Sequence, residues 1–394
     1  MTRPGAATVQ PARLRPLAEL GVIAALAAVL ASTGTYAVTR VSTTQSPTAQ
    51  TAASATASPS PVTQADSSAP NWSVIAAAVS PSVVSITVTS TQSSGQGSGV
   101  IIDTKGHILT NNHVVTGAGA GSQLSVTLND KRTYDATVVG TDPSTDLAVI
   151  KLTNAPSDLK PIALGDANVI KVGDQVMAVG NPLGLAGTVT TGIVSALNRP
   201  VTTSDQQQSD PFGQQQSTTD PVVTNAIQIS AAINPGNSGG ALVNSGGELI
   251  GITSAIASLG SSGDSSSQSG SSGIGFAIPV NEARSIAEQL ISSGKATHPY
   301  LGVSSKDGVV ADRSAKRAAA VLTNVASGSP GEAAGLRVGD SVTEVDGESI
   351  DGSLSLVAQV RERSVGDKVT LKILRDGQTK NISVTLTSKP TTAQ

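Results

Sequence analysis

The chain of 394 residues has no cysteine, two phenylalanines, three tyrosines, one tryptophan and three histidines. Without cysteine there is no disulfide framework, thiol nucleophile or thiolate metal site, although the compartment stays open. His107, His113 and His298 are scattered, with no metal-ligand spacing; neither a metal nor any other cofactor is expected. With aromatics at 2%, a core must rest on Val, Ile, Leu and Ala. Charge is also sparse. Charged residues make up 13% and the net charge is −3, so there is no basic footprint and nucleic acid is not an expected partner.

What is abundant is small or β-branched, a composition that favours strands and turns. The length suffices for two domains and additional segments. One strongly apolar run, Leu20 to Val38, is 19 residues without a charge. As a helix it would extend roughly 28 Å, about the thickness of bilayer hydrocarbon. Arg3, Arg13 and Arg15 precede it and Arg40 follows. The positive-inside bias then predicts a cytoplasmic segment 1–19, a transmembrane helix 20–38 and an extracytoplasmic remainder. A cleaved signal peptide is the alternative. Its apolar region is usually shorter, and no small-x-small site follows the run, so a retained single-pass anchor in the cell membrane is favoured. Residues 39–70 are Ser, Thr, Ala, Pro and Gln with almost no apolar bulk. Such a segment cannot offset its ordering entropy and reads as a flexible linker.

From Pro81 to Ala277 short β-branched runs alternate with Gly, Asp and Asn: "SVVSITV", "GSGVIID", "HILTN", "SQLSVTL", "ATVVG", "LAVIKL", "QVMAVG", "TVTTGIVSAL", "ELIGITSAI". Strands at this spacing predict an antiparallel barrel or sandwich. Two polar stretches, Thr202–Thr219 and Leu259–Ser272, read as long surface loops. "NEARSIAEQLISSG" then changes period. Ile286, Leu290 and Ile291 fall on one helical face, with Asn281 and Gly294 as start and stop signals. A second unit, about 299–390, has strands and one clear helix, Ser353 to Arg363.

Hydrolysis of a peptide by serine needs a base, a group that orients it, and donors for the developing oxyanion. "GHILTNNHVV" places His113 just after a strand, and "TDPSTDLAVIKL" places Asp146 at the start of another. In "NPGNSGGAL", Gly236 permits a tight turn that aims the N–H groups of Gly236 and Ser238 at one spot. Each feature alone is weak. Together, in the order His, Asp, Ser across an all-β pattern, they match the chymotrypsin-type order. Gly236 to Gly240 also fits G-x-S-x-G, but an α/β-hydrolase needs its histidine after the serine. His298, in an interdomain hinge, is the sole histidine there.

The segments "GSGVIID", "LTNNHVV", "TDLAVIKL", "VMAVGNPLGL", "TVTTGIVSAL", "NPGNSGGALVN", "GELIGI" and "GIGFAIPVN" resemble the HtrA/Deg family of serine proteases over about 75–390. The resemblance implies a mostly β chain: a chymotrypsin-like double β-barrel protease domain (71–296) followed by a PDZ domain (297–390). It implies that His113 is the general base, Asp146 its orienter and Ser238 the nucleophile. Backbone N–H groups of Gly236, Asn237 and Ser238 would form the oxyanion hole. Secreted digestive relatives have an aspartate at position 237 that pairs with a new N-terminus; Asn237 cannot, so activation would come from loop ordering. Ile233 and Ile256 fall where the family lines its specificity pocket, and two apolar walls favour Val, Ala or Leu before the cut bond. Ser230 and Thr253 depart from the family's usual Asp and Asn, and neither is expected to touch the triad. Trimers in the family use aromatics near the start of the protease domain; Trp72 is the one candidate here, which leaves a homotrimer open.

"YLGV", Tyr300, Leu301, Gly302 and Val303, resembles a PDZ carboxylate-binding loop, and "GSPGEAAGLRVGDSVTEVDGESI" the turn, short helix and strand of that domain. A peptide C-terminus would add to the strand after the loop. These features imply a membrane-anchored, extracytoplasmic serine endopeptidase of protein quality control and stress response. It would cleave unfolded proteins after small or apolar residues. The alternative class is a PDZ scaffold or chaperone-like binding protein with an inactive protease barrel.

Overall fold

The computed structural model describes residues 70–91, 93–117, 119, 121–182, 187–203, 222–234, 236–255, 257–258, 273–312 and 315–389. The expected N-terminal segment, transmembrane helix and nearly all of the linker lie outside these residues, as does Ile256. Among the described residues no helix is long and apolar enough to cross a membrane.

A short helix, α1 (Trp72–Val79), leads into the first barrel. Asn71 caps it, its side chain accepting from the Val74 N–H. Trp72 packs half-buried on the core beneath. Strands β1 (Val83–Thr89), β2 (Ser94–Ile101), β3 (His107–Asn111), β4 (Gln123–Thr127), β5 (Thr133–Asp142) and β6 (Leu147–Leu152) close into a barrel, in the order β1-β2-β3-β6-β5-β4. A one-turn helix, α2 (Asn112–Thr116), follows β3.

The second barrel comprises β7 (Gln175–Gly180), β8 (Thr188–Thr203), β9 (Val222–Ile229), β10 (Ala241–Val243), β11 (Leu249–Ser254) and β13 (Gly275–Pro279), with the two-residue β12 (Ala257–Ser258) beside β8. Pairing of β8 with β9 closes it. β8 and β9 pair out to Thr203 and Val222, so strand extends into what reads in sequence as the first polar loop.

Both faces of the central strands are buried, which is why they read as continuous apolar runs. Val176 and Ala178 of β7 point into the second barrel with Val194, Ile227, Ile229 and Leu242. Met177 and Val179 point the other way, into the layer between the barrels, where Leu109 and Val149 of the first barrel and Ile252 of the second meet them. Ile86, Ile108, Val126 and Ile150 fill the first barrel. Every one of these side chains is at most 2% exposed, and burying each Val, Leu, Ile or Met fully contributes about 1.5–3 kcal/mol.

Helix α3 (Val280–Ser293) closes this unit. Gly294 ends it at φ 73, the left-handed conformation glycine adopts without steric cost. Its start differs from expectation. Pro279, with φ −57, is the N-cap. Asn281 instead accepts from Ala167 N–H at 2.7 Å and donates to Asp166 at 2.9 Å, tying the helix to the segment before β7. Ile286 and Leu290 are buried, whereas Ile291 is 37% exposed and lies off their face.

Beyond the linker come β14 (Pro299–Tyr300), β15 (Val303–Asp312), β16 (Ala315–Val325), α4 (Pro330–Ala333), β17 (Ser341–Val345), β18 (Glu348–Ser349), α5 (Ser353–Arg361), β19 (Lys368–Arg375), β20 (Gln378–Thr385) and β21 (Thr387–Ser388). The main sheet runs β15-β16-β17-β19-β20, with β15 at one edge. Leu322, Val342, Leu356, Leu371 and Ile373 form its core. This unit touches the second barrel through side chains. Asn198 donates to Glu348 at 2.9 Å and Asn225 to Glu362 at 2.8 Å.

Candidate active site

All three histidines face an aspartate. His107 Nδ1 lies 2.6 Å from Asp103, His113 Nδ1 2.8 Å from Asp146, and His298 Nε2 2.9 Å from Asp142. Such a pair alone therefore selects no site; the surroundings of His113 do.

His113 stands in the first turn of α2, which follows β3 and packs Val114 and Val115 into the first barrel's core. Its ring reaches both carboxylate oxygens of Asp146, at 2.8 and 3.0 Å, and the His113 backbone N–H donates to Oδ1 at 3.0 Å. Asp146 is 4% exposed and adopts φ 56, a positive value uncommon outside glycine. Asn111 holds it there by donating its side-chain N–H to the Asp146 carbonyl at 2.9 Å, beside the Asn112 N–H at 3.0 Å. The paired carboxylate favours the tautomer with hydrogen on Nδ1, leaving Nε2 as acceptor.

Ser238 lies on a turn between Ile233 and β10. The turn is pinned to β2 at two points: Ser98 N–H donates to the Ser238 carbonyl at 2.8 Å, and Ser98 Oγ donates to the Gly236 carbonyl at 2.7 Å. Thr110 of β3 closes the link by donating to the Ser98 carbonyl at 2.7 Å. The strand that leads into the His113 helix is thus hydrogen-bonded to the residue that holds the serine. Gly236 has φ 95, and a Cβ there would run into Pro182. Asn237 N–H already donates to the Asn234 carbonyl at 3.0 Å, so it is not a free oxyanion donor. That narrows the three expected N–H groups to Gly236 and Ser238. The Asn237 side-chain amide is buried, with no partner among the described residues.

Ser238 Oγ accepts from the Ala255 N–H at 3.1 Å. Among the described residues it makes no hydrogen bond to His113. The structure therefore brings base and orienter into contact and places the serine on a turn tied to β3, with its hydroxyl turned to β11's exit.

Among the described residues Thr253 bonds to no triad residue but to the neighbours of Ser238. Its hydroxyl donates to the Asn237 carbonyl at 2.7 Å, its carbonyl accepts from Gly239 N–H at 2.8 Å, and its N–H donates to the Gly240 carbonyl at 3.0 Å. It braces the serine turn directly. Ser230 is away from it, accepting from Ile193 N–H at 3.0 Å. Ile233 is 8% exposed and belongs to the second barrel's core, close against Gly275. Ser98, Ser254 and Ala255 carried no readable signal in a serine-rich chain. Buried Ser254 lines a small pocket with Asp146 and has no side-chain partner among the described residues.

In the second unit, Gly302 has φ 78, and a Cβ there would collide with Ser329. The Leu301 and Gly302 carbonyls are taken by the N–H groups of Gly331 (2.9 Å) and Ala326 (2.8 Å). Tyr300 to Val303, Ser305 and the α5 residues Leu356, Val357 and Val360 line a groove of about 490 Å³ along β15.

A double barrel with this His–Asp pair and braced serine turn, followed by a sheet with a helix-walled groove, defines a trypsin-like peptidase joined to a PDZ domain. The family described as trypsin-like peptidase domain matches residues 97–252, and the PDZ domain family matches 299–386. The chain is 44% identical to serine protease PepD of Mycobacterium tuberculosis over 319 residues, 79% of this chain and 65% of that protein. It is 40% identical to the periplasmic serine endoprotease DegP of Escherichia coli K12 over 295 residues, 74% and 56% of the two chains. The solved structure of the HtrA-type protease AlgW with a tripeptide superposes with a TM-score of 0.58 at 34% identity, covering 82% of this chain and 98% of that one. The chain belongs to the HtrA/Deg family of serine proteases. It spans less than two thirds of the length of the curated relatives it matches.

Proposed function

We propose that the chain is a serine endopeptidase of protein quality control. The contact between His113 and both oxygens of Asp146, beside a strand, β3, that Thr110 and Ser98 tie to the Ser238 turn, carries this reading. In the reaction Ser238 Oγ leaves the Ala255 N–H, attacks the peptide carbonyl and passes its proton to His113 Nε2. Asp146 holds the ring and stabilises the imidazolium. The N–H groups of Gly236 and Ser238 receive the oxyanion. His113 then protonates the leaving amine, and water releases the acyl group by the reverse steps. Turning of the serine toward the imidazole is the activating event in this reading.

The apolar pocket proposed from Ile233 and Ile256 selects small or apolar residues before the cut bond, which folded proteins bury. The groove along the edge strand β15 takes a peptide C-terminus as an added strand, its carboxylate at the Leu301–Val303 loop. The run Leu20–Val38 supports a membrane anchor with both domains outside, and a homotrimer is the assembly we propose.

The test is casein cleavage by the chain and by Ser238→Ala, with mass spectrometry of the cut sites and fluorophosphonate labelling. Expected are an adduct on Ser238, cuts after Val, Ala or Leu, and a fall in kcat of about 10⁴–10⁶ in the variant. No adduct, even with a groove-binding peptide present, would leave a binding protein with an idle barrel. Cuts after Lys or Arg would refute the pocket.

A further inference from the structure

The turn that presents Asp146 is held from two sides. From within, Asp142 at the end of β5 accepts from Ser144 N–H at 3.2 Å and from the Thr145 hydroxyl. From outside, His298 of the interdomain linker reaches Asp142 Oδ1 at 2.9 Å, and Arg361 of α5 reaches the Ser144 carbonyl and the Val223 carbonyl, each at 3.4 Å. Asp142 is 4% exposed. Thr224, next to Val223, lines the same small pocket as Asp146. His298 and Ser144 also border the peptide groove of the second domain.

We propose that Asp142 and His298 are positioning residues for the reaction, a clamp through which the interdomain segment sets the place of Asp146 and hence of the His113 ring. This rests on the endopeptidase reading above. Three residues separate Asp142 from Asp146: Asp142 fixes Ser144 and Thr145, and Asp146 follows at positive φ. A turn with so few free torsions transmits a shift of its first residue to its last. Misplacing a catalytic group by about 1 Å costs about 10²-fold in rate. The groove's lining includes His298 and Ser144 and no triad member.

The charged groups around the clamp are Glu282 of α3, Arg361, Glu362 and Arg363 at the end of α5, Lys389 across the groove, and Asp142 and His298 themselves. Among the described residues the His113 ring pairs with Asp146, and not with His298, Glu282 or Glu362. A change in the pH profile of the imidazole on altering His298 would therefore come through Asp142 and Asp146.

The experiment compares His298→Ala, His298→Gln and Asp142→Asn in the full chain with the wild type, using a short fluorogenic peptide, fluorophosphonate labelling of Ser238 and thermal unfolding. His298→Ala is expected to lower kcat about tenfold to a hundredfold, with KM little changed, slower labelling, and the acid limb of the kcat profile moved to lower pH. That limb moves because a misplaced carboxylate stabilises the imidazolium less. His298→Gln, whose amide N–H can donate to Asp142, is expected to recover most of the rate. Asp142→Asn keeps one acceptor and should fall between. Variants that fold like the wild type and keep its kcat and acid limb would overturn the proposal. So would a loss confined to unfolding temperature, or a glutamine variant no better than alanine. A wild type that neither cleaves nor labels would overturn the endopeptidase reading, and this proposal with it; an active wild type with indifferent variants overturns the clamp alone.

Discussion

Glu282 offers the sharpest test of the junction between the two domains. It stands in the first turn of α3, 5% exposed, and neither carboxylate oxygen has a partner among the described residues. Burial pushes its pKa up from 4.5 to about 8, with the carboxylates of Glu362 and Asp142 adding to the effect and Arg361 opposing it. The folded protein thus keeps a proton that the unfolded chain releases. Stability from this group is complete below the unfolded value and is lost as pH climbs through the folded one. Between 4.5 and about 8, at about 1.4 kcal/mol per pH unit, the loss reaches about 5 kcal/mol, a ceiling that relaxation of the junction lowers. Glu282→Gln has the same shape and no charge to desolvate. In a Ser238→Ala background, which prevents self-digestion, urea unfolding of both proteins would be followed at pH 4, 6, 8 and 9. Near pH 4 the two curves should nearly coincide, and the glutamine protein should gain progressively to a plateau above pH 8. Other titrating groups are common to both and cancel in the difference. A difference that stays constant with pH, or grows in favour of the wild type, would refute the reasoning.

Two further outcomes follow from packing. Gly239 has φ 82, and a Cβ there would meet the Ser98 carbonyl and the Thr110 hydroxyl, the bond that ties the serine turn to the strand before His113. Gly239→Ala is expected to cost about 2–4 kcal/mol and to abolish Ser238 labelling in the protein that still folds, read by thermal unfolding beside the probe. In the second domain, Asp340 is 1% exposed and is met by Arg375 through two bonds of 2.6 Å. Arg375→Ala leaves that carboxylate buried with no cation, at an expected cost of about 3–5 kcal/mol in urea unfolding; a loss below 1 kcal/mol would mean that the Arg337 N–H, which donates to Asp340 at 2.8 Å, suffices.

Much of this protein was readable along the chain because the relevant forces act between near neighbours. Alternating and continuous β-branched runs marked the strands, since period and propensity are local. Gly294 announced a helix end, and glycines 236 and 239 a turn that no other residue makes comfortably. The identities of His113, Asp146 and Ser238 stood in short motifs for the same reason. Folding alone decided what surrounds them. Ser98 lies 138 residues from Gly236, and His298 lies 156 from Asp142. Such pairs have no local signature, because closing two barrels and docking a third unit selects them from dozens of equally plausible serines and carboxylates. Thr253 stood out in sequence as a departure from the family's usual residue, and folding sets it against the turn on either side of Ser238. Glu282 looked like an ordinary charge in a helix's first turn, and only the burial of that turn against α5 and the linker makes its proton a matter of stability.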